Sequence, residues 1–392
     1  MDDLFNPTPE HKTLRQTVRQ FAEREVEPQA AEHDRLEKFN FPLFRKLGEL
    51  GLLGLTVSPQ YDGAGMDASA VTIAHEELSA VDPGFTLAYL AHSLLFTNNL
   101  SVNGSEEQKQ KYLPDACSGA RIGGMCMSEP GAGTDVLGMR TTAVRKGDRY
   151  VLNGAKMWIT NGAVSDHELG DVFLVYARMD GAPRNKLSMF IVEKGFKGFS
   201  LGQKIKDKLG MRASSTAELV FEDCEVPVEN RVGEEGDATI HMMRNLEIER
   251  MGLAAMSLGI ARRSIEVMNH YATDRKSFGQ SLRDFGQIQR HIAESYAEYM
   301  AGRAYTYWAA SRVDLAQAGG RLDSDGVKLY CSTMAKNVAD RAIQVLGGYG
   351  YVGEYRVERL WRDAKLLEIG GGTIEAHHKN MTRDLARIEK IL

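Results

Sequence analysis

Apolar residues recur every three or four positions through the first third of the chain, at Leu14, Val18 and Phe21 and again at Phe44, Leu47 and Leu50. That is the period of helices with one buried face. Pro28, Pro42, Pro59 and Pro83 punctuate the pattern, so this region predicts several helices joined by short loops, one of them over 70–80. Ser105-Glu106-Glu107-Gln108 has the spacing of a capped helix start. In the middle third the period shortens. Arg149 to Leu152, Lys156 to Thr160, Asp171 to Arg178, Leu187 to Val192 and Ala217 to Phe221 are β-branched or aromatic runs of strand length. Gly147-Asp148, Asn153-Gly154 and Asn161-Gly162 read as the turns between them. After Gly236 helical periodicity returns, with Asp237 placed to cap a helix reaching about Tyr271. Gly252, Ala254, Ala255, Gly259 and Ala261 would let that helix approach others closely, as in a bundle. The expectation is an α+β chain: a helical domain over 1–119, a β domain over 120–233 and a helical domain over 234–392.

A length of 392 residues allows two or three domains and excludes a small stapled module. Lys and Arg number 48 against 53 Asp and Glu, a net charge of −5 without long charged runs, which argues against a nucleic-acid ligand. No apolar run approaches the roughly 18 residues of a membrane helix. The four cysteines, Cys117, Cys126, Cys224 and Cys331, lack CxxC spacing, which disfavours a disulfide framework or a zinc cluster and fits a reducing compartment. His241, His377 and His378 have no companions at metal-ligand spacing and read as surface or packing residues, so no metal is expected. The start, MDDLFNPTPEHK, has neither a secretory nor a transit-peptide pattern. The expected location is the cytoplasm of a bacterium or, with a targeting piece already removed, the mitochondrial matrix.

Three segments carry candidate chemistry. Leu246, Leu253, Met256 and Ile260 share one helix face with Glu249, so a carboxylate interrupts an apolar stripe. Desolvation there raises its proton affinity towards neutral pH, as a general base requires; a Glu paired with a buried Arg would give the same pattern. Glu247 and Arg250 project elsewhere, towards solvent or a ligand. In MSEPGAGTD (127–135) the glycines leave backbone N–H groups free to hold an anion, with Ser128 and Thr134 as further donors; an ordinary Pro-Gly turn is the alternative. Gly370-Gly371-Gly372-Thr373 and Gly347-Gly348-Tyr349-Gly350 would let backbone approach a planar ligand, or serve as helix C-caps.

Taken in order, MSEPGAGTDV (127–136), NGAKMWITNG (153–162), DKLGMRASST (207–216), LEIER (246–250), DRKSFGQ (274–280), QVLGGYGY (344–351) and RDAKLLEIGGGT (362–373) resemble the acyl-CoA dehydrogenase family over nearly the whole chain. The resemblance implies an N-terminal helical domain, a central β-barrel-like domain and a C-terminal four-helix bundle, with FAD as cofactor in a homotetramer. By motif, Met127, Ser128 and Thr134 would border the flavin ring with Trp158 and Thr160 on its other side. Arg275, Ser277 and Phe278 would meet the diphosphate, Gln344 and Gly348 the adenosine half across a subunit interface, and Gly371, Thr373 and Glu375 would lie near the flavin. Many family members carry their catalytic Glu in the final loop, where this chain has Gly371. Like isovaleryl-CoA dehydrogenases, it places a Glu in an LxxER helix instead, at Glu249. The implied reaction is α,β-dehydrogenation of a short or branched acyl-CoA to the trans-2-enoyl-CoA. Glu249 would take the α-proton, and electrons would leave to electron-transferring flavoprotein. Leu95, Leu367, Gly370 and Gly371 would border the acyl group, and Thr134, Glu247 and Arg250 the CoA. Alternatives are a longer, isoprenoid-like, cyclic or dicarboxylic acyl group, or a flavin-binding member without dehydrogenation. Two departures from the family pattern stand out: Gly286 in place of a common Gln, and a longer 164–170 loop that would lie at the flavin edge.

Overall fold

The computed structural model describes residues 3–317 and 319–389. The first third is helical: Pro9–Phe21 runs on through Ala22–Val26 into Glu27–Leu36, followed by Phe41–Glu49, Ala68–Ser79, Pro83–Leu90 extended through Ala91–Asn98, and Glu106–Ser118. Side chains of Thr8, Asn40, Asp67, Asp82 and Ser105 each accept an N–H of a first turn, and Ser105 and Gln108 cap one another reciprocally.

The central region holds eight strands: β1 (Gly123–Cys126), β2 (Thr142–Lys146), β3 (Arg149–Thr160), β4 (Val172–Met179), β5 (Leu187–Glu193), β6 (Phe199–Lys204), β7 (Thr216–Pro227) and β8 (Arg231–Val232). They form one sheet in the order β6-β7-β3-β2-β4-β5-β8, with β1 parallel to β4. Strands that are not neighbours meet inside it. Phe173 on β4 lies 5.8 Å from Phe199 on β6, and Tyr150 on β3 lies 4.9 Å from Phe190 on β5, so the sheet curls around a common apolar interior. Gly147-Asp148 is the β2–β3 turn, but the turn expected at Asn153-Gly154 is absent. The strand runs straight through with a bulge there, because Gly154 takes a positive φ of 149° and a Cβ would meet Thr141 Oγ1 at 2.5 Å. A second irregularity between Lys156 and Ile159 turns Trp158 outwards with φ of 66°.

The last third opens with a 37-residue helix, Ala238–Asp274, three residues longer than expected at its C-terminus. Asp237 sits at its N-cap without a capping side-chain bond, contrary to the sequence reading. Gly286–Ala310, Arg321–Leu346 and Val357–Leu367 complete four packed helices, and Ile374–Leu385 lies against Arg321–Leu346. Small residues set the close approaches: a methyl group at Gly259 would lie 2.4 Å from the Glu76 carbonyl oxygen.

One apolar cluster joins the first and last thirds, and within it lies a group of buried charges. Glu76 receives Arg15 at 2.9 Å, Arg303 at 2.9 Å and the Tyr299 hydroxyl at 3.0 Å, while Glu77 receives Arg15 at 2.6 Å and Arg262 at 2.8 Å. The two carboxylates are fully desolvated and fully partnered.

Candidate active site

Glu249 projects from the long helix into an almost closed space, with 8% of its surface accessible and Oε2 buried without a hydrogen-bond partner. Burial pushes its carboxyl up to about 7, although the positive charges of Arg250 and Lys328 oppose the shift. The apolar stripe expected around it is present: Leu246, Leu253, Met256 and Ile260 are all buried.

The Gly370–Gly371–Gly372–Thr373 loop connects the two last helices and passes in front of this carboxylate. A Cβ at Gly371 would lie 3.6 Å from Glu249 Oε1, so the loop position and the helix position address the same space. Among the described residues no backbone carbonyl or side chain takes the Gly371 N–H. Thr373 caps the last helix by accepting from Ala376, and Glu375 lies exposed in that helix's first turn.

Arg250 and Glu247 do not project freely into solvent: both are largely buried, and Glu247 lines a cleft beside the helix. Arg250 Nη1 pairs with Asp325 at 3.0 Å and its Nε donates to the Gly371 carbonyl at 3.2 Å. Glu247 Oε2 accepts the backbone N–H groups of Gly319 and Gly320, at 3.1 and 2.9 Å. Arg250 is therefore tied into the protein, while Glu247 is anchored at the edge of a cleft. A small cleft opens one turn before Glu249, lined by Asn98, Asn103, Arg244, Asn245, Glu247 and Leu315 among others. Leu95 is half-buried on the facing helix, and Leu367 lies wholly within the core.

The two motifs expected to flank a planar ring are adjacent. Met157 N–H donates to the Ser128 carbonyl at 2.9 Å, and the buried Lys156 donates to the Met127 carbonyl at 3.2 Å and pairs with Glu129 at 2.8 Å. Thr134 lies on the exposed limb of that loop, with open space at Gly131 and Gly133; Thr160 is half-buried. Trp158 presents 61% of its surface from a left-handed backbone, a conformation that a bulky residue adopts only under constraint. An exposed indole held in this way beside free backbone and hydroxyl donors fits the face and edge of an isoalloxazine. The 164–170 loop is closed on itself by Val164 N–H donating to the Glu168 carbonyl at 2.9 Å, and Gly286 begins its helix with open space around it.

Arg275, Ser277 and Phe278 are not near Glu249. They follow the far end of the same helix, and 26 residues at 1.5 Å each place them about 39 Å away along its axis. Gln344 and Gly348 are exposed at that same far end, beside the cluster of Met268, Ala272, Val345 and Leu346. Phe278 there is 95% exposed. The structure thus groups these five residues with one another and separates them from Glu249.

Lys328 and Asp325 were not singled out in the sequence. Both are fully buried beside Glu249 and Arg250, and their signal is a charged pair three residues apart on the inner face of a helix. His377, read as surface or packing, is buried and bonded to Asp325 at 2.7 Å.

A sheet domain between two helical regions, with a desolvated carboxylate facing a glycine loop, defines a dehydrogenase architecture. The chain belongs to the acyl-CoA dehydrogenase family: the models of its N-terminal, middle and C-terminal domains match residues 8–120, 124–224 and 239–386. The short-chain-specific acyl-CoA dehydrogenase of Clostridium acetobutylicum is 44% identical over 95% of this chain and 96% of its own length. The mitochondrial isovaleryl-CoA dehydrogenase of Pongo abelii is 42% identical over 96% of this chain and 88% of its own. A solved structure described as the electron transferring flavoprotein of Acidaminococcus fermentans superimposes with a TM-score of 0.93 and 36% identity, covering 97% of this chain and 99% of that one. Among the described residues no helix is long and apolar enough to cross a membrane.

Proposed function

We propose that the protein is an FAD-dependent acyl-CoA dehydrogenase acting on a short or branched acyl thioester, with Glu249 as the base that removes the α-proton. The observation that carries this reading is the unpartnered, desolvated Glu249 carboxylate facing Gly371. A carboxyl with a proton affinity near neutrality is anionic in a useful fraction at pH 7 and still basic enough to accept a carbon-bound proton. The free Gly371 N–H is a donor for the thioester oxygen, where charge develops as the α-proton leaves. When bound, FAD supplies the two-electron acceptor for the β-hydride. Met127, Ser128, Thr134, Trp158 and Thr160 would hold the ring and exclude water from it, with Thr373 and Glu375 near its edge.

The cleft lined by Asn98, Arg244 and Glu247 offers donors and an acceptor to the CoA portion. The acyl end is narrower. One turn past Glu249, Leu94 and Leu90 pack so closely on Gly252 that a Cβ there would meet their Cδ1 atoms at 2.9 and 3.0 Å, apolar neighbours that suit a short acyl chain.

Arg275, Ser277, Phe278, Gln344 and Gly348 lie about 39 Å from Glu249 along its helix, too far to serve a ring beside that carboxylate from within one chain, which supports their meeting the diphosphate and adenosine of a second protomer's FAD. That sharing needs at least a pair of protomers; a homotetramer built from such pairs, with electron-transferring flavoprotein as acceptor, is the assembly we propose.

The test is anaerobic addition of short, branched and long acyl-CoA thioesters to the flavinated protein, followed at the flavin absorption band. Bleaching by a short or branched thioester is expected, with Glu249→Gln losing it by several orders of magnitude. Equal bleaching in the variant would remove Glu249 from the reaction.

A further inference from the structure

Glu249 has a cationic neighbour that no sequence motif assigns. Lys328, on the helix Arg321–Leu346, is wholly buried, and among the described residues its ammonium has no carboxylate within ion-pairing distance. Its hydrogen bond goes to the Gly372 carbonyl, at 2.7 Å. Burial pulls its pKa down to about 7 even though Glu249 opposes the fall. A methionine would fill the same space without that desolvation cost, so the packing alone does not account for a lysine.

The surrounding bonds show what the charge is attached to. Arg250 donates to the Gly371 carbonyl at 3.2 Å, and Lys328 and His377 Nε2 both reach the Gly372 carbonyl, at 2.7 and 3.0 Å. Asp325 Oδ1 ties Arg250 to His377 at 3.0 and 2.7 Å. Since both His377 nitrogens face acceptors, a proton lies between Nδ1 and Asp325. Three helices therefore grip two successive carbonyls of a loop whose glycines adopt φ of 67° and 106° and would otherwise be free.

We propose that Lys328 is a positioning residue for the dehydrogenation: its ammonium anchors the Gly372 carbonyl and so holds the loop, with Gly371, against Glu249. The same buried charge favours the anionic form of that carboxylate. This rests on the reading of Glu249 as the base. Glu249 is faced by Arg250 from its own helix, by Lys328 from the neighbouring helix and by Tyr176 from β4. Lys328 in turn is faced by Glu249, Arg250, Glu368, Asp325 and His377. Of these, Arg250 and then Lys328 are the cations that lower the proton affinity of Glu249, and Arg250 shares Asp325 with His377.

The experiment compares the pH profile of flavin reduction by a short acyl-CoA in wild type, Lys328→Met, Lys328→Gln and Lys328→Arg. Removing the charge should move the limb that rises with pH upward by about one unit, a roughly fivefold loss of rate at pH 7 that recovers at higher pH. Gln, which keeps a donor for Gly372 but no charge, should shift the limb like Met; Arg should restore it. Independently of turnover, the Glu249 carboxyl band, identified in the infrared by subtracting Glu249→Gln, should titrate higher in Lys328→Met. If both neutral variants fail to fold, the reciprocal measurement decides: Lys328, followed by NMR, should titrate lower in Glu249→Gln than in wild type. An unmoved limb and carboxyl band, or an unmoved Lys328 titration, overturns the proposal. If Glu249→Gln itself reduces flavin normally, the base assignment has failed instead.

Discussion

Gly371 and Leu253 are in contact across the site: a methyl group on the glycine would lie 2.3 Å from Leu253 Cδ1, and the glycine's φ is +67°. Any side chain at 371 thus meets both a steric and a conformational barrier. Gly371→Ala should lower stability by about 1 to 3 kcal/mol and slow flavin reduction, and Leu253→Ala in the same chain should recover part of the reduction. Moving the carboxylate, as Glu249→Gly with Gly371→Glu, should yield an active enzyme only when Leu253 is also shortened. Thermal melts and single-turnover bleaching on the set check this order.

The pH dependence of reduction should follow Glu249. Its folded-state pKa lies above the ordinary glutamate value, at about 7, so the base is protonated below that pH and the rate should climb as pH passes through it. Reduction measured from pH 5 to 9 with a saturating thioester should show that single rising limb, absent in Glu249→Asn.

Lys156 ties the two ring-flanking segments together through the Met127 carbonyl and Glu129. Lys156→Met should leave Glu129 buried without its cation, loosen the 127–134 loop and weaken flavin retention about tenfold or more, since breaking a buried pair costs roughly 3 to 5 kcal/mol. The flavin-to-protein ratio after dialysis and the melting temperature report the two effects separately.

Acid should act first on the charges joining the first and last thirds. Burial alone would raise the Glu76 pKa, but Arg303, Arg15 and Arg262 overcome it and hold it at about 2, below its ordinary 4.5. A depressed folded pKa contributes stability that is present above 4.5 and lost as pH falls towards 2, here roughly 3 kcal/mol. Glu76→Gln should be destabilised at pH 7 by roughly 3 to 5 kcal/mol and show a smaller further loss on acidification; denaturant melts at pH 7 and 3 distinguish the two.

Glu249 was legible in the sequence because its context is local: four apolar residues at helical spacing on one helix face surround a carboxylate. The helices and strands were legible for the same reason, and the ordered motifs placed them in a family. Asn153-Gly154 was misread because a turn dipeptide carries no sign of the long strand pairing on either side, which pulled it into a bulge. Arg250 was misread because its partners, Asp325 and Gly371, lie 75 and 121 residues away. Lys328 and His377 were hidden likewise, since a polar residue on a helix looks exposed until the neighbouring helix is in place. The distance between Arg275 and Glu249 is implicit in the length of the helix that joins them.

The charges around Glu76 and Glu77 also bear on how the chain is made. Arg15 is synthesised before the two glutamates, but Arg262 and Arg303 emerge nearly two hundred residues or more after them. Until then the helix Ala68–Ser79 carries two carboxylates with half their partners missing, and leaving them in water costs less than burying them. The N-terminal helices of a nascent chain therefore stay loosely docked while the sheet domain, whose apolar interior draws on residues 126–226 alone, completes its fold. Closure of the helical core is then a late event, triggered by arrival of the C-terminal arginines, and a ribosome stalled before residue 262 should hold a folded middle domain on an unsettled first third.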